Sequence, residues 1–508
     1  MKKNLKTIKL MAAALACVLP ICSCGEKNAD VSTSEEIPTI TLFANFNPAD
    51  INESDAAFIK QAEDALGIKV EFDIPPSTSY GERMQLMLAS GEYPDAVLFL
   101  DTKDQAYLNA VDQDILIPVN EYITNAQNIQ KYSYEESWEA LKTKGDDNIY
   151  GIPRSSMVRN DGYIIREDWL EKVGLTMPQD HGMTKEEFAE MLKRFTLNDP
   201  DGNGKNDTYG MVASVDTNKK LDPICLQAFD CNGWQADPDN NGSYMDPKYS
   251  KTSQNYKKAL EYTADLYKQG FIDPNSPTNT SSDATDKFFK GTESGVIYGF
   301  SGNMLSYEKK VQSNQPDAKL NYIYLKNDKG EIKGGSYSTG FWGHWGITSA
   351  CKNPEAVVKF LDWILSDDGW HGVLYGTEGI NYDMVDGAPV MKSDVSSPWK
   401  SYFMRRAADF DFFTSSVLMT EEEKERIKPI VQIGIDTNEF SLDMGYTPEV
   451  AREVSFINYQ TTMDEAITKI VTGNEPVSAY DAALEKWYEN GGDLYVEDMN
   501  NYIKSCAK

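Results

Sequence analysis

Apolar residues recur along the chain in two rhythms. Residues 38–44, 69–74 and 95–100 are short, mostly apolar runs of strand length. Between them, residues 55–66 place Phe58, Ile59, Ala62, Ala65 and Leu66 on one helical face, and residues 83–89 form a second helical stretch. Gly67 and Gly91 stand where these two helices stop. The third run is apolar throughout, as a strand buried on both faces of a parallel sheet should be. Strand–helix–strand–helix–strand predicts a doubly wound α/β sheet, and ligands bind such sheets beyond the carboxyl ends of the strands. Those ends fall at Asn45–Phe46, residues 77–80 and Asp101.

Residues 149–170 organise the rest. A strand at 149–152 is expected to stop at Pro153 or to lie at a sheet edge, because proline donates no ladder bond. Gly162, a strand at 163–165 and a helix start at 167–170 follow. This predicts a crossing between two α/β lobes, with Arg154 and Arg159 near the gap. Beyond it, Thr184 and Glu187 form a capping box, and Phe188, Met191, Leu192 and Phe195 line one helix face. A helix at 256–269 and a strand at 294–300 come next. The glycine- and aromatic-rich residues 334–347 can carry the chain back across the gap. Asn353–Pro354 caps a helix, helices dominate from Thr447, and Ser478 with Asp481 caps the last long one. The expected divisions are a leader at 1–23 and a tether at 24–36, then a first lobe at 37–153 and 343–405. A second lobe takes 154–342 and the C-terminal helices at 406–508.

A chain of 508 residues exceeds what one core usually serves. Its net charge of −30 repels nucleic acid and does not suggest an anionic ligand. The first residues change the picture: Lys2, Lys3, Lys6 and Lys9, then an apolar run too short to span a bilayer, the layout of a secretory signal peptide. The run ends in Ile21-Cys22-Ser23-Cys24-Gly25, which resembles a lipoprotein box with Cys24 as the acylated residue. Acyl chains there would hold the protein on a membrane. Cys225 and Cys231 either form a disulfide or remain free buried thiols.

The sharpest chemical motif is Asp199-Pro-Asp201-Gly-Asn203-Gly-Lys205-Asn-Asp207. Side-chain oxygens at Asp199, Asp201, Asn203 and Asp207, with the Lys205 carbonyl, follow the spacing that wraps a loop around calcium. Gly210 stands where an EF-hand has its bidentate glutamate, so another carboxylate or water completes the shell. The expected role is structural. The similar run from Asp237 to Gly242 reads as a hairpin turn. Catalytic patterns are weak: His181, His344 and His371 form no metal pair, and neither a nucleophile elbow nor a phosphate loop is present. Aromatics remain. Trp234, Trp342, Trp345 and Tyr80, with Asp101 and Arg154, are candidates to line a cleft, since flat rings stack on sugar C–H faces while polar groups bind hydroxyls; core packing is the alternative for each ring.

Together these features resemble the family 1 extracellular solute-binding proteins, the lipid-anchored receptors of bacterial ABC importers. The likeness runs through Ser90-Gly-Glu-Tyr-Pro-Asp95, Tyr150-Gly-Ile-Pro-Arg154, Arg166-Glu-Asp-Trp-Leu170, the loop at 198–210, Cys231-Asn-Gly-Trp234, residues 262–273 and the stretch 353–362. The loop is similar to that of the alginate-oligosaccharide-binding type. There an acid commonly follows the ninth position, where this chain has Thr208. The resemblance implies a hinged, two-lobe periplasmic-binding-protein-like fold of type II with a helical C-terminal part. It also implies a monomer that closes on an oligosaccharide, performs no chemistry and hands its ligand to separate membrane subunits. A glycan-hydrolysing surface enzyme, a peptide-binding importer receptor and a calcium-dependent scaffold are the alternatives.

Overall fold

The computed structural model describes residues 37–46, 50–143, 147–216, 220–335, 339–392, 399, 403–406, 419–440 and 442–506. Cys24 and the expected leader and tether lie outside the described residues.

The short apolar runs become β1 (Thr39–Phe43), β2 (Lys69–Asp73) and β3 (Ala96–Phe99). The helix Glu53–Leu66 joins the first two. Its start is fixed by a reciprocal cap between Asn52 and Asp55, and its end by Gly67 in the left-handed conformation. At the crossing the strand is shifted along the chain, and of the two readings of Pro153 the edge holds. β4 (Ile152–Ser155) begins where a strand was expected to end and runs through Pro153. It is an edge strand, and an edge is where a proline can sit without removing a ladder bond.

There follow β5 (Gly162–Arg166), β6 (Gly182–Met183), β7 (Tyr209–Val212) and the hairpin β8 (Gln235–Ala236) with β9 (Tyr244–Met245). Next come β10 (Ser294–Gly299), β11 (Leu320–Leu325), β12 (Gly334–Gly335) and β13 (Phe341–Ile347). The first sheet has the order β2-β1-β3-β13-β4, and the second β6-β11-β5-β10-β7. β1 is parallel to both its neighbours, whereas β13 is antiparallel to β3 and β4. β5 is antiparallel to β10 and β11. Both sheets are therefore mixed, and the chain is α/β with two lobes.

Each sheet is covered on both faces, which is why its central strands lack polar alternation. In the first, Ile40, Leu42, Leu98, Trp345 and Ile347 pack under the helix Pro354–Ile364. Phe43, Val97, Phe99 and Tyr107 fill the opposite side. In the second, Trp169, Phe188, Met191 and Phe195 pack with Phe456, Met463, Ile467 and Trp487 of the C-terminal helices Val454–Val471 and Ala479–Trp487. Two expected caps take another form. Pro354 occupies the first helical turn, but the Asn353 side chain makes no cap bond. Ser478 is itself helical and caps nothing.

The chain passes between the sheets from β4 to β5 and returns between β11 and β13. These crossings are tied together: the Ser156 N–H donates to the Gly340 carbonyl (2.9 Å). Cys225 and Cys231 are both free and buried. The Tyr163 hydroxyl donates to the Cys225 sulfur, and burial pushes that thiol up to about 12.

Candidate functional site

The site begins with an irregularity in β13. Its pairing with β4 shifts register between Phe341 and His344. Gly343 between them has φ +77, and a Cβ there would lie 2.8 Å from the Phe99 carbonyl oxygen. A bulge of this kind re-aims side chains. Trp342 turns outward and is 42% exposed, while His344 turns inward and is fully buried. Arg154 of β4 is buried beside Trp342. Its Nη1 donates to the Trp342 carbonyl (2.7 Å), and its guanidinium lies 4.3 Å from the indole centroid. Two sequence candidates are thus brought together. Asp101 is exposed just past β3, where its carboxylate accepts the Lys103 N–H (3.0 Å).

Tyr80 and Trp345 lie in the core. Tyr80 is 3% exposed, stacks on Phe43 and donates its hydroxyl to the Leu98 carbonyl. Trp345 is fully buried, and its indole N–H donates to the Phe403 carbonyl (2.9 Å). Both rings are packed into the first lobe's core, Tyr80 from the first turn of the helix Tyr80–Ser90 and Trp345 from an inward position of β13. Trp234 is also buried, packed on Met499 and Ile503 beside Tyr495.

Two neighbouring recesses carry further polar groups. A cavity of about 460 Å³ opens at the carboxyl ends of β7 and β10, lined by Val212, Ala213, Ile297 and Tyr298 with Asp216 and Asp222. It shares Lys220 with a cavity of about 670 Å³, lined by Tyr249, Tyr446, Gln460, Asp464 and Tyr495 with Lys103 from the first lobe. The groove is held by ion pairs. Lys220 Nζ stands 3.7 Å from Asp216, 3.8 Å from Asp222 and 3.6 Å from Asp464. Lys248 reaches Asp464 at 3.1 Å. Burial pushes the Asp222 carboxyl up, against the pull of Lys248 and Lys220. Burial alone would lower Lys248, but Asp464 and Asp222 outweigh it and hold the ammonium above its ordinary value.

Links from the first lobe border this groove. Lys103 pairs with Asp443 (2.7 Å), the Thr102 hydroxyl donates to the Gly445 carbonyl (3.3 Å), and Arg452 pairs with Asp112 (2.7 Å). Beside the crossing, Arg159 pairs with Asp161 (2.9 Å) and lies over the Phe300 ring.

The loop at Asp199–Asp207 follows the helix Lys185–Leu197 and turns through positive φ at Asp199, Gly202 and Gly204. Asp199 accepts the Asn203 (3.0 Å) and Gly204 (2.9 Å) N–H groups, which lower its carboxyl. The Asn203 amide nitrogen donates to Asp201 (2.8 Å) and Asp207 (3.0 Å). The donor set is all oxygen, which suits calcium. It is not gathered as a ligand cluster: among the described residues no group of three or more His, Cys, Asp or Glu side chains is placed to hold a metal. A metal here would require Asn203 to present its oxygen in place of its nitrogen.

Sequence reasoning missed Tyr298, Lys220, Asp222 and Asp464. The polar run from Asp216 to Asp222 after a strand was a usable signal. Asp464 carried none, since it is one polar position on an amphipathic helix.

A family model described as bacterial extracellular solute-binding protein matches residues 57–381. The Bacillus subtilis lipoprotein LipO is 25% identical over 98% of both chains. Two solved structures share the fold. The alginate-binding protein AlgQ2, without calcium ion, aligns with TM-score 0.68 and 22% identity over 93% of this chain and 99% of its own. An EF-hand mutant of the S. pneumoniae ABC-transporter substrate-binding protein FusA, in complex with fructo-nystose, aligns with TM-score 0.64 and 19% identity over 92% and 99%.

Proposed function

The chain belongs to the bacterial extracellular solute-binding proteins, and from that premise we propose that it captures an oligosaccharide between its two lobes for delivery to an ABC importer. The observation that carries the ligand class is the groove itself. Tyr249, Tyr298, Tyr446 and Tyr495 line it, interleaved with Asp216, Asp222, Asp464 and Lys220. That is the mixture of apolar faces and fixed polar groups that sugar rings require. Trp342 on Arg154, with Asp101, supplies the first lobe's share. Contacts to both lobes exist only when they close, so ligand shifts the population toward the closed form. The importer's membrane subunits read that form. The chain binds as a monomer and leaves its ligand chemically unchanged.

We further assign acylation to Cys24, which places the protein outside the cytoplasm on the membrane, as the relation to the lipoprotein LipO supports. Asp199, Asp201, Asn203, Asp207 and the Lys205 carbonyl would hold calcium, whose role is to pin the loop. The oxygen-only donor set and the EF-hand named for the FusA structure support this.

Thermal unfolding of the purified protein against an oligosaccharide panel, with and without calcium, tests the reading. A ligand at 100 times its Kd raises stability by about 2.7 kcal/mol. Recovery of the sugar intact by chromatography separates binding from hydrolysis. A shift with peptides and none with sugars would overturn the ligand class. A melting temperature indifferent to calcium would overturn the loop assignment.

A further inference from the structure

We propose that the groove selects uncharged oligosaccharides and rejects those built of uronic acids. The inference rests on the proposed oligosaccharide function and narrows it. It matters because the structural relatives divide here: alginate carries a carboxylate on every sugar unit, and fructooligosaccharides carry none.

The charges of the groove decide it. Among the described residues, Asp216, Asp222, Asp464 and Glu465 line the two cavities, against Lys103, Lys220 and Lys469. Each of those lysines already has a carboxylate within ion-pair distance. Lys103 is 2.7 Å from Asp443, Lys469 is 3.7 Å from Glu475, and Lys220 stands among Asp216, Asp222 and Asp464 at 3.6–3.8 Å. Lys248, behind the lining, is spent on Asp464. Of the arginines near the crossing, Arg159 is paired with Asp161, and Arg154 is fully buried with its Nη1 on the Trp342 carbonyl.

A uronate entering this groove must share an ammonium with an acid already beside it. Two anions then stand side by side on one cation. One like-charge juxtaposition of this kind weakens binding by about 100-fold. The hydroxyls of an uncharged sugar meet no such obstacle. They donate to the carboxylates, which only accept, and they accept from the lysines and the tyrosine hydroxyls. The lysine–carboxylate pairs then stay intact and their unused valences turn to the ligand. The chain's net charge of −30 acts in the same direction at longer range, by slowing the approach of anions.

Calorimetric titration of the purified protein tests this with tetrasaccharides of matched length. The uncharged probes are fructo-, malto-, xylo- and galacto-tetraose, and the acidic ones are tetragalacturonate and an alginate tetramer. Carboxyl-reduced forms of the acidic pair remove charge while keeping linkage. At least one uncharged probe should bind, with every uronate about 100-fold weaker or more, and the gap should narrow between 50 and 300 mM salt, a range over which charge screening rises about as expected from Debye theory. Asp222→Asn and Asp464→Asn, with folding checked by their melting curves, should each raise the uronate's relative affinity. A uronate that binds as tightly as any uncharged probe, or tighter than its own reduced form, overturns the selectivity and leaves the oligosaccharide reading standing. Failure of every glycan to bind overturns that reading and the inference with it.

Discussion

His344 should make the protein lose stability on mild acidification. The β13 bulge turns this ring into the first lobe's core, where it lies 4.3 Å from Tyr107 and 5.6 Å from Phe99 between centroids. It is fully buried, and neither ring nitrogen has a hydrogen-bond partner among the described residues. Burial penalises the imidazolium and lowers its pKa from the ordinary 6.5 to about 3. In the unfolded chain the ring titrates near the ordinary value. As pH falls below about 6.5 the unfolded state gains a proton that the folded state refuses. Stability is therefore full above that pH and is lost on the way down, by about 0.8 kcal/mol at pH 6 and about 2 kcal/mol at pH 5, levelling off near pH 3. Burial pushes the carboxyls of Asp161, Asp222 and Asp246 up, so those groups act in the opposite sense. The readout is accordingly the difference between the wild-type protein and His344→Phe, followed by urea unfolding at pH 7, 6 and 5. The variant should gain about 2 kcal/mol relative to wild type across that range. A difference constant to within about 0.5 kcal/mol would refute a buried, neutral, unpartnered imidazole.

The two tryptophans of β13 should separate stability from binding. Trp345→Phe loses the indole bond to Phe403 and leaves a void, lowering unfolding stability by about 2–3 kcal/mol. Its ligand affinity should be unchanged, and a tenfold loss in a well-folded variant would return Trp345 to the binding surface. Trp342→Ala should do the reverse: stability within about 1 kcal/mol of wild type in denaturation, and oligosaccharide affinity down about tenfold by calorimetry. Equal affinity would remove Trp342 from the site. For the lobe-bridging pair, Lys103 is 44% exposed and Asp443 10%, so solvent screening reduces its worth and a double-mutant cycle with Lys103→Met and Asp443→Asn should show coupling of about 1 kcal/mol. Burial pulls the Lys103 ammonium down, but Asp443 outweighs it and holds the group above its ordinary value. Its contribution is complete below about pH 10 and falls only as pH rises through that higher value, so the coupling should be flat from pH 6 to 9. A coupling near zero, or one that fades by pH 9, would show that the pair does not bridge the lobes in solution.

The sequence by itself determined what is short-range. The three opening strands and their helices follow from apolar spacing and from stop signals such as Gly67. The Thr184–Glu187 box forms as a reciprocal cap, with both bonds present. The two-lobe α/β arrangement was legible from the change of rhythm at the crossing, and the family from motifs in order. Each of these depends on contacts within a few residues, and periodicity records such contacts directly.

What only the tertiary structure decided is which positions meet across the chain. Trp342 and Trp345 are three residues apart in one glycine-rich stretch, yet one is exposed and the other fully buried. The bulge at Gly343 and the layers on both faces of the sheet set that difference. Pro153 left a stop and a sheet edge both open, and only the packed sheet puts β4 at an edge. Lys220 and Asp464 come together from separate elements, 244 positions apart, at the heart of the groove. No local pattern marks such a pair, since its energy comes from burial and charge that exist only once the second sheet and the C-terminal helices have packed.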